Sequence, residues 1–431
     1  MVEVTGVGLI GLGTVGTGVV RLLRQRAESR RPTDVAFDIR CAAVRDLAKT
    51  RQVDLDKGLL TTDPESVICD PSVDLVVELS GDAEARSWIA RALDQGKDTV
   101  TANKAVLAEF GEELFDRAQA SGADLMFEAS VAGGIPIIRS LRSGLAANRV
   151  ESIYGILNGT TNYILSQMTR GTGDYAESLE LAQRNGFAES DPTMDLNGLD
   201  AAQKLAILCR IAFGTNASGS ELARSGIEGI SRADIDYARE LGYVIKLLAI
   251  GRRHGDKIEA RVHPAMISQE SVLANIHDEY NGIEVVGSAV GTQVFTGKGA
   301  GQMPTASAVV ADMIEVAQRR RSGAGSGVGD LLPGRAALAL ANNGEMESRY
   351  YLRLLVADRP GVLEHIARIL AGEHISIASV LQKERDLQGG AVPLIIVTHE
   401  ASEAAMEKGR EQMSRLDEVQ EDVQLIRIQP T

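Results

Sequence analysis

The sequence predicts an α/β protein in three parts: a parallel sheet wrapped by helices, an α+β middle, and a ferredoxin-like βαββαβ unit towards the C-terminus. Three observations predict it. Short apolar runs alternate with helical patterns over residues 4–129, and such alternation builds a parallel sheet covered on both faces. A glycine-rich turn separates the first apolar run from the first helical stretch. After residue 349 the patterns come in the order strand, helix, strand, strand, helix, strand. The 431 residues exceed what one ordinary core holds.

Residues 4–10 are a glycine-bounded apolar run, read as a strand, and 15–23 carry apolar positions at helical spacing. Further strands are expected at 38–44, 73–79, 98–101 and 124–129, with helices at 83–95 and 110–120. In the middle, 151–157 reads as a strand, and 161–168, 175–185, 198–212 and 232–241 as helices. Strands follow at 243–252 and 257–264. A helix at 304–321 ends in Arg319, Arg320 and Arg321, the charge a helix C-terminus favours. Residues 322–329 are rich in Gly and Ser and read as a loop. The polar, patternless stretch 341–348 is taken as the main domain boundary. The last unit reads as strands at 350–356, 375–382, 392–398 and 423–428, with helices at 361–372 and 403–415.

Composition narrows the function classes. A formal charge of −14 opposes binding to DNA, RNA or anionic lipid. With aromatics at 4%, no stacking platform for nucleic acid is evident. No run of about 18 apolar residues is present, so no membrane span is expected. The segment Val7-Gly8-Leu9-Ile10 follows no basic leader, so no signal peptide is expected. Cys41, Cys69 and Cys209 are odd in number and widely spaced, which fits a reducing, cytoplasmic compartment rather than a disulfide or metal framework.

Gly11-Leu12-Gly13-Thr14-Val15-Gly16 matches G-x-G-x-x-G between a predicted strand and a predicted helix, the context a dinucleotide turn requires. Gly11 permits the tight turn, Gly13 lets a pyrophosphate approach the backbone, and Gly16 lets helix and strand pack. The free N–H groups of the helix start then face phosphate. The first part is therefore a Rossmann-like nucleotide-binding domain. Its second strand ends in Val44, Arg45 and Asp46, with Lys49 nearby. Arg45 suits a 2′-phosphate, hence NADP; a solvated surface charge is the other reading.

Residues 189–195 hold the carboxylates Glu189, Asp191 and Asp195. Asp200 and Lys204 follow at i,i+4 spacing on one predicted helix face. Lys104 stands just beyond a predicted strand, where an open parallel sheet places its ligand crevice. A lysine beside a carboxylate can hold or pass a proton to an alcohol oxygen; an exposed ion pair is the plainer reading of Asp200 and Lys204. Glu128 precedes Val131, Gly133, Gly134, Ile135 and Pro136, a bend whose carbonyls and one carboxylate suit a hard cation or form a structural turn.

Six segments carry a family resemblance: GLGTVG at 11–16, TANK at 101–104, EASVAGGIPII at 128–138, GILNGTTNYIL at 155–165, ESDPTMDLNGLDAAQK at 189–204 and GKGAGQMPTASAVVAD at 297–312. With DRPGVL at 358–363 they make the chain resemble the homoserine dehydrogenase family, in the monofunctional form with a C-terminal ACT domain. The resemblance implies interconversion of L-homoserine and L-aspartate 4-semialdehyde by hydride transfer with NADP(H) or NAD(H). It implies Lys204 as proton donor, assisted by Lys104, and Glu189 on the substrate with Asp195 and Asp200 nearby. It implies cofactor contacts from Thr14, Val15, Lys104, Gly186 and Gly301, besides the glycines of the turn. It matches Glu128 and the carbonyls of Val131, Gly133 and Ile135 to a sodium site. Two departures stand out: Ser80-Gly81-Asp82 replaces a Gly-Gly pair after the third strand, and Ser190 replaces Pro or Ala. Asp82 is expected to crowd the nicotinamide or the phosphates.

The expected domains are 1–135 for the nucleotide, with 300–340 returning to it, 136–320 for substrate and catalysis, and 349–431 as a regulatory ACT domain. An amino-acid effector is expected there, threonine first, with a homodimer or homotetramer as the assembly. The last domain is expected to be removable without loss of basal catalysis. Another amino-acid-pathway dehydrogenase and a non-catalytic amino-acid sensor are the competing functions. An acylating aldehyde dehydrogenase would need a cysteine nucleophile, and none of the three cysteines is well placed for that.

Overall fold

The computed structural model describes residues 4–29, 35–324, 338–382 and 390–429. They fall into two compact units. The first gathers Met1–Gly159, Leu199–Leu222 and Glu279–Leu338; the second gathers Thr160–Gly198, Ala223–Asp278 and Ala339–Thr431.

The first unit opens with β1 (Val4–Ile10), α1 (Thr14–Ser29), β2 (Ala36–Ala43), β3 (Leu60–Thr61), α2 (Pro64–Cys69), β4 (Leu75–Glu78), α3 (Ala85–Asp94), β5 (Asp98–Thr101), α4 (Lys104–Ser121) and β6 (Leu125–Met126). The six strands form one parallel sheet in the order β3-β2-β1-β4-β5-β6. Every residue of β4 is buried, as a strand covered on both faces must be. The strand order reverses between β1 and β4, and ligands of doubly wound sheets bind beyond the strand ends at such a point. The helix α11 (Gln302–Ser322) returns to this sheet. Its Ala306, Val309 and Met313 share a core with Val19 and Val20 of α1, and Arg21 donates to the Gln302 side chain at 2.8 Å.

Beyond the short helix α5 (Ile137–Arg139), β7 (Val150–Ile156), β11 (Tyr280–Gly287) and β12 (Gly291–Lys298) make an antiparallel sheet with β11 central. The sequence reading assigned nothing to the β11–β12 hairpin, where apolar alternation is weak. The helix α9 (Leu199–Phe213) is buried from Asp200 to Phe213. It packs on α4, and Arg210 donates to the Leu107 carbonyl at 2.7 Å. Two expectations shift here. The helix α4 starts at Lys104 rather than near residue 110, because Asn103 caps it by accepting from Val106 N–H at 3.2 Å. The strand expected at 124–129 stops at Met126 and turns at Glu128.

The second unit holds α6 (Gly159–Arg170), α7 (Tyr175–Arg184), α8 (Thr193–Leu196), β8 (Ala223–Arg224), α10 (Arg232–Glu240) and the hairpin β9 (Tyr243–His254) with β10 (Lys257–Ser268). After β13 (Ala339–Leu340) come β14 (Glu347–Ala357), α12 (Val362–Gly372), β15 (Ile377–Gln382), β16 (Ala391–Thr398), β17 (Ala401–Ser402), α13 (Glu403–Met413) and β18 (Gln424–Ile428). Their sheet order, β18-β14-β16-β15, is antiparallel, and α12 and α13 close its core. The expected βαββαβ unit is therefore present.

That unit does not stand alone. The strand β18 pairs in parallel with β10, Ala265 opposite Arg427, and β13 pairs with the start of β10. Asp234 of α10, wholly buried, receives the Arg353 guanidinium at 2.7 Å and the Tyr351 hydroxyl at 3.1 Å. Arg261 of β10 donates to Glu403 at 3.3 Å and to Ser348 at 3.1 Å. The stretch 341–348, expected as the main boundary, holds a 3-10 turn at Asn343–Glu345 between β13 and β14. Residues 325–329 of the expected Gly/Ser loop lie outside the described residues.

Candidate active site

The glycine turn has the geometry that a dinucleotide needs. Gly11 takes φ 102°, and a Cβ on it would stand 2.7 Å from the backbone of Leu79 and Ser80. A Cβ on Gly16 would stand 2.4 Å from the Gly11 carbonyl oxygen. Around Gly13 the space is open to 4 Å, and Gly13 and Thr14 are exposed at the start of α1. The helix start is thus bare where phosphate would sit. Arg45 is exposed just past the end of β2.

Beside this turn lies a cavity of about 300 Å³, lined by Val15, Ser80, Gly81, Asn103, Lys104 and Lys204 among others. Two lysines converge here on one carboxylate. Lys104 Nζ is 2.7 Å from Asp200 Oδ1, and Lys204 Nζ is 2.8 Å from Asp200 Oδ2. Lys204 also donates to the Leu157 carbonyl at 2.7 Å, and Asn158 donates to Asp200 Oδ2 at 2.9 Å. The Asp200 and Lys204 side chains are 7% and 11% exposed, so this is no surface ion pair, while that of Lys104 is 38% exposed. Burial alone would raise the Asp200 carboxyl. Lys204 and Lys104 outweigh it and hold that carboxyl well below the usual carboxylate range.

Behind the cavity lies a carboxylate that the sequence reading overlooked. Glu78, wholly buried at the end of β4, accepts from the Ser80 N–H at 2.8 Å, the Ser80 hydroxyl at 2.6 Å and the Thr101 hydroxyl at 2.7 Å. The Thr101 hydroxyl in turn accepts the Asn103 N–H at 3.0 Å. One buried acid so ties together the ends of β4 and β5. Its signal in the sequence was an ionisable residue inside an otherwise apolar strand. Asp82 accepts the Glu84 N–H at 3.0 Å, and Ser80 and Gly81 line the cavity.

Glu128 is buried, and its two oxygens accept the Ile138 and Arg139 N–H groups, each at 2.8 Å. Burial pushes its carboxyl up against those two hydrogen bonds. Its own N–H donates to Asp312 at 2.8 Å. Val131 and Ile135 are buried, and Ala132 and Gly133 follow one another at φ 53° and 52° in a tight bend, where the Ala132 carbonyl accepts the Ile135 N–H at 3.0 Å and the Ile135 carbonyl the Ile137 N–H at 2.8 Å. Each Glu128 oxygen keeps acceptor capacity after one hydrogen bond. The donor set of one carboxylate and neighbouring carbonyls fits a hard cation. Among the described residues no group of three or more His, Cys, Asp or Glu could hold a metal.

In the second unit the Thr160 hydroxyl, with one proton to donate, lies 2.7 Å from the Phe187 carbonyl and 3.0 Å from Asp195 Oδ2. Asp191 serves its own turn, accepting the Thr193 hydroxyl at 2.6 Å. Glu189, Ser190 and Gly186 are exposed. Gly186 follows α7 at φ 75°, and in the first unit Gly301 caps α11 at φ 116°. Among the cysteines, Cys209 is buried, Cys69 is exposed, and burial pushes the half-buried Cys41 thiol up to about 11. None lines the cavity.

A doubly wound sheet, a bare glycine turn and a lysine-bearing cavity beside it define a nicotinamide-dependent dehydrogenase. Residues 11–128 match the NAD-binding domain of homoserine dehydrogenase, 136–314 match homoserine dehydrogenase, and 350–416 match the ACT domain. The chain is 41% identical to the homoserine dehydrogenase of Synechocystis, over 98% of this chain and 99% of that one. It is 40% identical to the Bacillus subtilis homoserine dehydrogenase over 96% of each. The crystal structure of a homoserine dehydrogenase from Thiobacillus denitrificans superposes with a TM-score of 0.89 at 43% identity, covering 99% of this chain and 98% of that one. A hyperthermophilic archaeal homoserine dehydrogenase mutant in complex with NADPH matches at 25% identity and TM-score 0.63, covering 74% of this chain and 98% of that one. The chain belongs to the homoserine dehydrogenase family and carries an ACT domain. No helix among its described residues is long and apolar enough to cross a membrane.

Proposed function

We propose that this chain interconverts L-homoserine and L-aspartate 4-semialdehyde. The observation that carries the reading is the pair of lysines held on one buried carboxylate beside the glycine turn. When bound between these groups, a nicotinamide would supply the hydride chemistry at the aldehyde or alcohol carbon. Lys204 donates a proton to the aldehyde oxygen as it becomes the alcohol, and takes that proton back in oxidation. Lys104, more exposed, stabilises negative charge on the same oxygen. Asp200 was expected beside the substrate; with its oxygens engaged by Lys104, Lys204 and Asn158, we read it as the group that orders the two ammoniums. Glu189 holds the substrate, with Asp195 nearby, on the strength of the family resemblance.

Gly11, Gly13, Thr14, Val15 and Gly16 would hold the cofactor, with Gly186, Gly301 and Lys104 as further contacts. Arg45, exposed at the end of β2, favours NADP(H) over NAD(H), and the NADPH complex of the archaeal enzyme agrees. Glu128 with the carbonyls of Val131, Gly133 and Ile135 would hold a sodium ion, as the family resemblance implies. The domains divide at 1–135 with 300–340, 136–320, and 349–431. The ACT domain takes an amino-acid effector, threonine first, in a cytoplasmic homodimer or homotetramer. The test is nicotinamide absorbance with L-homoserine as the only substrate, run with each cofactor. Absence of turnover with both would refute the assignment.

A further inference from the structure

Of the polar side chains that line the cavity with the two lysines, all but one are engaged within the chain. Ser80 donates to Glu78 at 2.6 Å, Ser130 to the Phe127 carbonyl at 2.6 Å and Asn103 to the Asp82 carbonyl at 3.2 Å. Lys104 and Lys204 hold Asp200. The exception is Thr305, near the start of α11. A threonine in a helix often returns its hydroxyl to the carbonyl four residues back. Thr305 gives Gly301 only its backbone N–H, at 3.2 Å, and its hydroxyl has no partner among the described residues. The residue is 9% exposed and its hydroxyl is not sealed off, so what exposure it keeps is toward the cavity it lines.

A polar group this deep is ordinarily satisfied, and here the partner has to come from what the cavity takes in. The surroundings select it. Gly301 gives α11 no side-chain cap, and Pro304 carries no N–H, so the positive end of the helix lies bare about one turn from Thr305. A cationic group, such as the substrate ammonium, is unfavourable there. The rest of the lining is glycine and apolar side chains, which suit the faces of a flat ring.

We infer that the Thr305 hydroxyl is the group that would hold the carboxamide of the nicotinamide. The inference rests on the proposed dehydrogenase function and deepens it. In that reading the other polar parts have partners: the glycine turn for the pyrophosphate, Arg45 for a 2′-phosphate, the two lysines for the reacting oxygen and Glu189 for the substrate. The carboxamide is the one polar substituent on the ring, and it has none. A hydrogen bond from Thr305 to its oxygen would fix the rotation of the ring and keep one face toward the lysines. Thr305 is then a cofactor-binding residue whose hydroxyl does nothing for the fold itself.

The experiment uses the full chain and two variants. Thr305→Val keeps the shape and removes the hydroxyl; Thr305→Ser keeps the hydroxyl. NADPH and NADH are titrated through their fluorescence. The fragments without nicotinamide, 2′-phospho-ADP-ribose and ADP-ribose, are titrated by calorimetry. Without cofactor, Thr305→Val should melt at the wild-type temperature, since no internal hydrogen bond is lost. It should bind the reduced cofactor roughly 3- to 10-fold more weakly, the worth of one neutral hydrogen bond. Its affinity for the matching fragment should equal that of wild type, and Thr305→Ser should bind the whole cofactor within about twofold of wild type. Equal losses with cofactor and fragment would place the hydroxyl at the phosphates. A raised Michaelis constant for homoserine at unchanged cofactor affinity would place it on the substrate. Either result overturns the inference while the dehydrogenase assignment stands, and so does unaltered binding of both cofactors. A clear drop in the melting temperature of Thr305→Val without cofactor would show that the hydroxyl serves the fold, and would overturn it too. If the wild type binds neither cofactor, the assignment fails with it.

Discussion

Asp200 offers one oxygen to each of two ammonium groups, and the charge pattern of the site follows from that sharing. Lys204→Ala is expected to lose about 100- to 10,000-fold in turnover, the usual cost of removing a general acid. Its unfolding temperature and cofactor affinity should stay close to wild type, because Lys104 still neutralises Asp200; a variant with near-normal turnover would exclude Lys204 from the mechanism. Asp200 also sets an acid limit. Its carboxyl is depressed in the folded chain below the ordinary 3.8, so its contribution to stability is present above that value and is lost as pH falls through the folded-state value. The stability gap between wild type and Asp200→Asn, read by denaturant unfolding, should therefore stay level from neutral pH down to about 4 and narrow below it. Glu128→Ala leaves the Ile138 and Arg139 N–H groups without their acceptor, at about 1–3 kcal/mol each. Turnover should fall and lose any response to exchanging sodium for potassium; a response equal to wild type would remove the cation from Glu128. At this scale the lysines were legible in the sequence, since each stands by a strand end or a carboxylate. Asn158 and the Leu157 carbonyl were not, because neutral amides and carbonyls carry no pattern until the fold brings them to Asp200.

Two helices carry the lysines, and their packing sets the distance between them. Lys104 opens α4, and Lys204 sits within α9. The helices approach closely at Gly111, where an added Cβ would stand 2.3 Å from Arg210 Nη1. Gly111→Ala must push that guanidinium off the Leu107 carbonyl, and overpacking of this kind typically costs about 1–3 kcal/mol. It should lower turnover more than it raises the Michaelis constant, because the lysines shift while the glycine turn does not. Equal kinetics in wild type and variant would show that α4 and α9 adjust freely. The elements themselves were partly legible. Strands β1 and β5 follow their expected limits, because their apolar runs are bounded by turn residues or charges. The β11–β12 hairpin escaped notice because β12 has no fully buried residue and so no apolar alternation. The start of α4 escaped because an Asn cap, not a hydrophobic repeat, marks it.

Across the second unit, the continuity of β10 with β18 changes what a truncation would do. A cut after Ser348 was expected to leave basal catalysis intact. It would instead strip β10 of its β18 neighbour, Asp234 of Arg353 and Tyr351, and Arg261 of Glu403. Arg261 keeps Glu259 at 2.7 Å, but leaving the buried Asp234 without its cation costs about 3–5 kcal/mol in comparable cases. The truncated chain should melt well below the full chain and lose activity in proportion to its unfolded fraction; full activity at an unchanged melting temperature would show that the ACT segment is dispensable. The βαββαβ order was legible because it is local in sequence, whereas its seam with β10 joins residues far apart and left no trace in either segment alone. The seam has a further consequence, for symmetry. Of the two outer strands of the ACT sheet, β18 meets β10 over its last two residues, and among the described residues β15 is the other. Two copies meeting rim to rim about a twofold axis use up both rims and close. A β15 rim paired in this way accepts no third copy. Any assembly beyond two must recruit a different face of the molecule.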